Sequence, residues 1–261
     1  SLSLGFIAKI IVYENITRTF LRGDGKPPAM TVETGVSGFD RLVGGGLTPA
    51  RLYVVSGPPG SGKTTFCTQF VATGARAGEK CLFLSMHESK ERFLEDMSDF
   101  DFGLTEQMDR RIHFMNVFAD RSKNLLVGDS STDYRSNVQR MTARIGEFID
   151  RHEIDRMVID STMLLRSFFS GEETFFQFIT GLKHANATTM LVSETAEPES
   201  IPDEHYLAHG VIVFRNAIED GRLNRGVQIV KMRGRAIDGQ IRTIAFTDTG
   251  LEVRPQQRLD A

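Results

Sequence analysis

The sequence predicts an α/β protein built on a mainly parallel β-sheet, with helices on both faces and an antiparallel extension at the C-terminal end. Three observations carry this. From Leu52 to Ser193, short apolar and β-branched runs alternate with stretches of helical periodicity, the βαβα order that lays strands parallel beneath crossover helices. After Gly210 four strand-like runs follow one another, joined by Glu219-Asp220-Gly221, Ile237-Asp238-Gly239 and Asp248-Thr249-Gly250, which are hairpin turn chemistries. Between the first strand and the first long helix stands GPPGSGKTT, Gly57 to Thr65, a glycine-rich loop in a strand-loop-helix setting.

In chain order, Ile7 to Val12 fits a strand or one or two helical turns, and Arg22 to Pro28 is a turn-rich linker. This sets an N-terminal arm at residues 1–30, a core at 31–255 and a short tail at 256–261. A short helix around Gly38 to Val43 closes on three glycines, Gly44 to Gly46. Strands are expected at Leu52–Ser56, Lys80–Met86, Arg111–Val117, Arg156–Asp160 and Thr188–Ser193. Helices are expected at Thr64–Ala77, Lys90–Phe100, Asn137–His152 and Glu173–His184, each from its 3.6-residue periodicity and end signals. Leu125 to Arg135, polar after its first residues, is expected as a loop. The extension then takes Val211–Asn216, Val227–Met232, Arg242–Phe246 and Leu251–Arg254 as strands.

The 261 residues suffice for one large domain with a sizeable core. A net charge of −3 and a pI near 6.1 give no global basic field toward nucleic acid or anionic membrane, so any such contact must be local. No stretch approaches the ~18 apolar residues of a membrane span. The two cysteines, Cys67 and Cys81, match no metal-ligand spacing and fall where small apolar residues pack. Together these point to a reducing, cytoplasmic setting.

The chemistry is concentrated in the glycine-rich loop. Gly57, Gly62, Lys63 and Thr64 occupy the fixed positions of the P-loop pattern Gly-x-x-x-x-Gly-Lys-Ser/Thr, with Pro58, Pro59, Gly60, Ser61 and Thr65 completing the cradle. Glycines let the backbone wrap a phosphate so that successive N–H groups and the positive helix end face the anion. Lys63 reaches the β- and γ-phosphates in this pattern, and the Thr64 hydroxyl ligates Mg²⁺. ATP with Mg²⁺ is the expected ligand pair. Met157 to Asp160 is an apolar strand ending in a carboxylate, the Walker B form in which Asp160 serves Mg²⁺; a strand also ends in Asp for turn reasons alone. Glu88 ends the strand after the P-loop helix. A carboxylate there can polarise an attacking water or simply favour the dipole of the next helix, and the residues alone leave the two even. Lys231 and Arg233, two apart on one strand, share a face.

With these motifs in place the chain resembles the KaiC-like branch of the RecA-fold ATPases. The resemblance spans Thr31 to Pro255 and rests on TGVSGFDRLVGGGL (Thr34 to Leu47), GPPGSGKTT, LSMHES (Leu84 to Ser89), VIDS (Val158 to Ser161) and the strand ending Lys231-Met232-Arg233-Gly234. It implies a RecA-like core, Mg·ATP bound between subunits of a homo-oligomer, a ring of six, and slow hydrolysis coupled to a signalling partner. It makes Asp160 the Walker B acid and Glu88 the base. Members of the branch end the second strand in two adjacent glutamates, where this chain has His87 and Glu88, so one carboxylate is missing and reduced turnover is implied. Lys231 and Arg233 then act on the γ-phosphate held by a neighbour rather than serving as solvated strand charges. The self-phosphorylating relatives carry a Ser-Thr pair before the strand at Val211; Glu204 to His209 offers none, so self-phosphorylation is not expected.

Two other functions compete with an ATP hydrolase. One is a nucleotide-gated scaffold with little turnover, motivated by His87. The other is a RadA-like accessory of DNA recombination, for which the loop at Leu125–Arg135 and the turn bearing Arg222 and Arg225 would be the backbone contacts; the acidic pI argues against it.

Overall fold

The computed structural model describes residues 31–117, 134–195, 202–219 and 221–258. The expected arm at 1–30 and residues 125–133 of the expected loop lie outside them, while Tyr134 and Arg135 open a helix.

The chain forms a short helix α1 (Phe39–Leu42), β1 (Leu52–Gly57), α2 (Lys63–Arg76), β2 (Cys81–Ser85), α3 (Lys90–Asp96), α4 (Leu104–Gln107) and β3 (Ile112–Asn116). It continues through α5 (Tyr134–His152), β4 (Arg156–Asp160), α6 (Thr162–Leu165) with a following 3₁₀ turn, α7 (Glu172–Leu182), β5 (Thr188–Glu194) and the five-residue α8 (Asp203–Leu207). The strands β6 (Gly210–Glu219), β7 (Arg222–Met232), β8 (Arg242–Thr247) and β9 (Gly250–Arg258) complete it. One nine-stranded sheet results, in the order β3-β2-β4-β5-β1-β6-β7-β8-β9.

Residues alternate between two cores across this sheet. Along β1, Tyr53 and Val55 enter one apolar cluster with Phe66 and Phe70 of α2 and Phe214 of β6. Leu52 and Val54 enter the other, with Ile145 and Ile149 of α5 and Phe175, Phe178 and Leu182 of α7. All six residues of β1 are buried, as a parallel strand covered on both faces must be. Val138, Met141, Ile145 and Ile149 recur at helical spacing, which is why α5 turns one stripe to the sheet.

Two expectations are adjusted. The strand expected at Val211–Asn216 in the antiparallel extension belongs to both parts of the sheet: β6 runs parallel to β1 over Tyr53 to Ser56 and antiparallel to β7. The helix expected at Lys90–Phe100 stops at Asp96. Ser89 caps its start by accepting the Arg92 N–H at 3.3 Å, and the chain then turns so that the Phe100 and Phe102 rings stack, 5.1 Å between centroids.

Candidate functional site

The glycine-rich loop joins the C-terminal end of β1 to α2, in the middle of the sheet where strand ends open a crevice. Gly57 has φ 149°, and a Cβ there would stand 2.5 Å from the Phe214 carbonyl oxygen; only glycine lets β1 end this close to β6. The Pro58 carbonyl accepts from Ser61 Oγ at 2.7 Å and from Lys63 Nζ at 2.8 Å, so the lysine folds back into its own loop. Pro59 and Gly60 stand exposed on the rim. Gly62 begins α2 with φ 103° and no side-chain cap, leaving the first helical N–H groups for an anion. Thr65 lies buried on the first turn of α2. Burial pulls the Lys63 ammonium below its ordinary value, and the carboxylates of Glu194 and Asp160 partly restore it.

Asp160 ends β4 two strands from β1 in the sheet, and its Oδ2 accepts a hydrogen bond from Thr64 Oγ1 at 2.7 Å. Residues 96 positions apart in sequence thus meet side chain to side chain. Asp160 is 3% exposed. Burial raises its carboxyl above the usual range; the Thr64 hydrogen bond and the charges of His87 and Lys63 pull it down, while Glu88 pushes it up. The Glu88 N–H donates to Ser85 Oγ at 3.0 Å and its carbonyl accepts from Asn116 Nδ2 at 2.7 Å, which pins the backbone. Its side chain remains partly open, with Oε1 3.4 Å from His87 Nε2. Lys63, Thr64, Asp160 and Glu88 therefore gather at one end of the sheet.

Lys231 and Arg233 do not join them. Met232 is registered with Gly210 and Gly210 with Tyr53, four residues before Gly57, or about 13 Å along the strand at ~3.3 Å per residue. Both cations sit toward the opposite end of the sheet from their own P-loop. Lys231 Nζ donates to the carbonyls of His205 at 2.8 Å and Tyr206 at 3.0 Å, and Arg233 Nη2 to Tyr206 at 3.3 Å. Their shared face is thus real, but it faces α8.

Three side chains at the P-loop were not singled out for that role by the sequence. Glu194, at the end of β5, is registered beside Gly57. Asn216 Nδ2 donates to the Pro59 carbonyl at 3.3 Å, and Arg225 Nε to the Gly60 carbonyl at 2.9 Å, with its guanidinium 5.1 Å from the Phe246 ring centre. Arg225, considered from sequence as a nucleic-acid contact, braces the loop. The only advance signal was its place near a hairpin turn; the pairing that carries it to the P-loop is non-local.

Compared with known protein families, residues 32–258 match the one described as "ATPase: KaiC". The chain belongs to this family. Among curated relatives of this KaiC-family chain, the circadian clock protein KaiC3 of Synechocystis is 28% identical over 214 residues, 78% of this chain and 41% of that protein. The circadian clock oscillator protein KaiC of Synechococcus elongatus is 25% identical over 234 residues, 86% of this chain and 44% of that protein. The chain therefore spans less than half the length of these relatives. Among solved structures, a KaiC-like protein from the hyperthermophilic archaeon Pyrococcus horikoshii superposes with a TM-score of 0.72 at 26% identity, covering 87% of this chain and all of that one. The expected fold is thereby that of the KaiC and RecA-like ATPases. Among the described residues no helix is long and apolar enough to cross a membrane.

Proposed function

We propose that this KaiC-family chain binds Mg·ATP at the P-loop and hydrolyses it slowly at the boundaries between identical subunits, with turnover altering the affinity of a ring, of six by resemblance, for a signalling partner. The observation that carries this is the 2.7 Å contact of Thr64 with Asp160, which brings together the two side chains that would serve Mg²⁺.

The residues fit the pair. Gly57 admits no Cβ at the start of the loop, and the buried lysine and the buried carboxylate, both perturbed by desolvation, are relieved by a polyanion with a divalent cation. Mg²⁺ is commonly held by one or two protein oxygens plus phosphate, and Thr64 and Asp160 offer such a pair. When bound, Mg²⁺ supplies charge neutralisation and polarisation at the β- and γ-phosphates. Lys63 would exchange the Pro58 carbonyl for phosphate oxygens, Thr64 and Asp160 would hold the cation, and Glu88 would orient the attacking water and receive its proton. His87 within 3.4 Å competes for the Glu88 carboxylate when protonated, which supports slow chemistry and gives the scaffold reading its one specific observation. Single-turnover rates separate the two: Glu88→Gln slows a hydrolase strongly with binding retained, and leaves a scaffold's negligible rate unchanged.

Lys231 and Arg233 lie toward the far end of the sheet from their own P-loop, and it is the family resemblance that gives them a role on the neighbour's nucleotide. A trans-acting arginine contributes about 10³–10⁵ in phosphoryl transfer. The test mixes two inactive proteins. Lys63→Ala holds no nucleotide but offers its cations, whereas Arg233→Ala holds nucleotide and offers no Arg233. Once subunit exchange is verified by mass, restored hydrolysis supports the shared site, and a mixture as inactive as its parents refutes it.

A further inference from the structure

Glu204 is the most deeply buried carboxylate outside the nucleotide site among the described residues, 1% exposed. Both of its oxygens are occupied: Oε1 accepts from Ser193 Oγ at 2.7 Å and Oε2 from Arg166 Nη2 at 2.7 Å. Ser193 lies on β5, one residue before Glu194, whose charge bears on Lys63. Arg166 follows α6, the turn of helix that leaves Asp160; its guanidinium stacks 4.0 Å from the Phe175 ring centre and also pairs with Glu172. Glu204 itself belongs to α8, five residues long and too short to be held by its own hydrogen bonds. The carbonyls of His205 and Tyr206, the next two residues, receive Lys231 and Arg233.

A buried ion pair is a poor source of stability, since desolvation offsets most of the attraction. What it does supply here is direction. Two carboxylate oxygens fixed by donors from two different elements leave α8 one orientation, and the seat of Lys231 and Arg233 is part of α8. We propose that Glu204 is a positioning residue for the cations a subunit presents to its neighbour: anchored to β5 and to the segment after β4, it sets where Lys231 and Arg233 are held. The inference rests on the shared-site reading above and adds a polarity to it. Loss of Glu204 harms a subunit as donor of cations and spares it as holder of nucleotide.

The experiment places Glu204→Gln on one side of the mixture at a time, in the full chain with Mg·ATP. Lys63→Ala mixed with Arg233→Ala is the reference. The doubly substituted donor, Lys63→Ala with Glu204→Gln, is expected to restore about ten- to a hundredfold less hydrolysis, the loss that about 1 Å of misplacement produces. The doubly substituted acceptor, Arg233→Ala with Glu204→Gln, is expected to match the reference, with unchanged KM for ATP. Equal losses on both sides mark a general structural role and overturn the proposal, as does no loss on either. An inactive reference mixture refutes the shared site itself, and the positioning role falls with it. Should Glu204→Gln fail to fold, Ser193→Ala, which removes one donor and keeps the ion pair, is expected to show the same one-sided loss at smaller amplitude; a symmetric loss or none overturns the proposal equally.

Discussion

Gly57→Ala adds one methyl group at the point where β1 becomes the P-loop. The new Cβ would meet the Phe214 carbonyl oxygen at 2.5 Å and the Phe214 Cβ at 3.0 Å, where contacts under 3.0 Å are essentially never seen. Neither neighbour is the free end of a flexible side chain. Phe214 is registered with Val227 across β6 and β7, and its ring packs edge-on to Phe66, 5.5 Å between centroids. Either β6 or the start of the loop must therefore move. The steric part costs about 1–3 kcal/mol, as overpacking in a dense core does, and holding alanine at φ 149° adds about 1–3 kcal/mol. Gly78→Ala isolates the second part, because Gly78 has φ 90° with open space around its missing Cβ. The steric part adds about 2–12 °C to the loss in Tm of Gly57→Ala over Gly78→Ala, at ~2–4 °C per kcal/mol for a chain of this size. Thermal melts without nucleotide read that difference, and titration with Mg·ATP reads the loop: Gly57→Ala should lose affinity while Gly78→Ala keeps it. If Gly57→Ala melts no lower than Gly78→Ala and binds as tightly as the parent, the loop is not clamped against β6.

Lys63→Ala should abolish tight Mg·ATP binding, measured by calorimetry, since it removes the one cation the loop aims at the terminal phosphates; parental affinity would remove the P-loop assignment. Asp160→Asn keeps the shape of the Thr64 contact and should leave ATP binding measurable but insensitive to Mg²⁺, so an unchanged Mg²⁺ titration would exclude Asp160 from the site. The same variant has a pH signature without ligand. Burial raises the Asp160 carboxyl above its ordinary 3.8, so the folded chain holds that proton more tightly than the unfolded one; this stability is full below pH 3.8 and is lost as pH rises through the folded value. Asp160→Asn should lose less stability than the parent across that rise in urea melts, and parallel curves would contradict it. Arg225→Ala frees the Gly60 carbonyl and should weaken Mg·ATP binding about three- to tenfold, the worth of one hydrogen bond near 1 kcal/mol, with no change in the single-turnover rate once saturated; a rate loss at saturation would give Arg225 a part in the chemistry.

The parallel strands were legible because each carries its own signal. Leu52 to Val55 and Met157 to Ile159 are apolar on both faces, and Asp160 stands at a strand end where a P-loop gives a carboxylate meaning. Of the short helices only α1, closed by its three glycines, was legible. Leu104–Gln107, Thr162–Leu165 and Asp203–Leu207 span four or five residues, below the length at which helical periodicity can be read. Nor does a strand's pattern name its partner: Val211 to Phe214 reads the same whether it pairs with β1, β7 or both, and only closure of the sheet decides. That is also why Arg225 and Asn216 were missed at the P-loop while Lys63 and Thr64 were found. The local motif fixes the loop's own residues, whereas the braces arrive through register across β6 and β7. The face shared by Lys231 and Arg233 followed from a two-residue spacing; that it turns to the carbonyls of α8 did not.

The position of β1 in the strand order also sets when the site can come into being. Its neighbours are β5 on one side and β6 on the other, and the first contact toward β5, from the Ala50 N–H to Thr188 Oγ1, reaches 138 residues along the chain. At ~5–20 residues per second on the ribosome, β1 waits roughly 7–28 s with both edges open. Meanwhile β2 and β3 are joined by the crossover that carries α3 and α4, and their pairing does not wait for β5. The emerging polypeptide thus carries an apolar strand with unpaired backbone, the kind of template that recruits other chains, until β4 and β5 slot in between β2 and β1. A nascent chain halted before β5 has Gly57, Lys63, Thr64 and Asp160 in its covalent sequence but lacks both strands that flank β1, so the crevice proposed to hold a nucleotide cannot close before they are made.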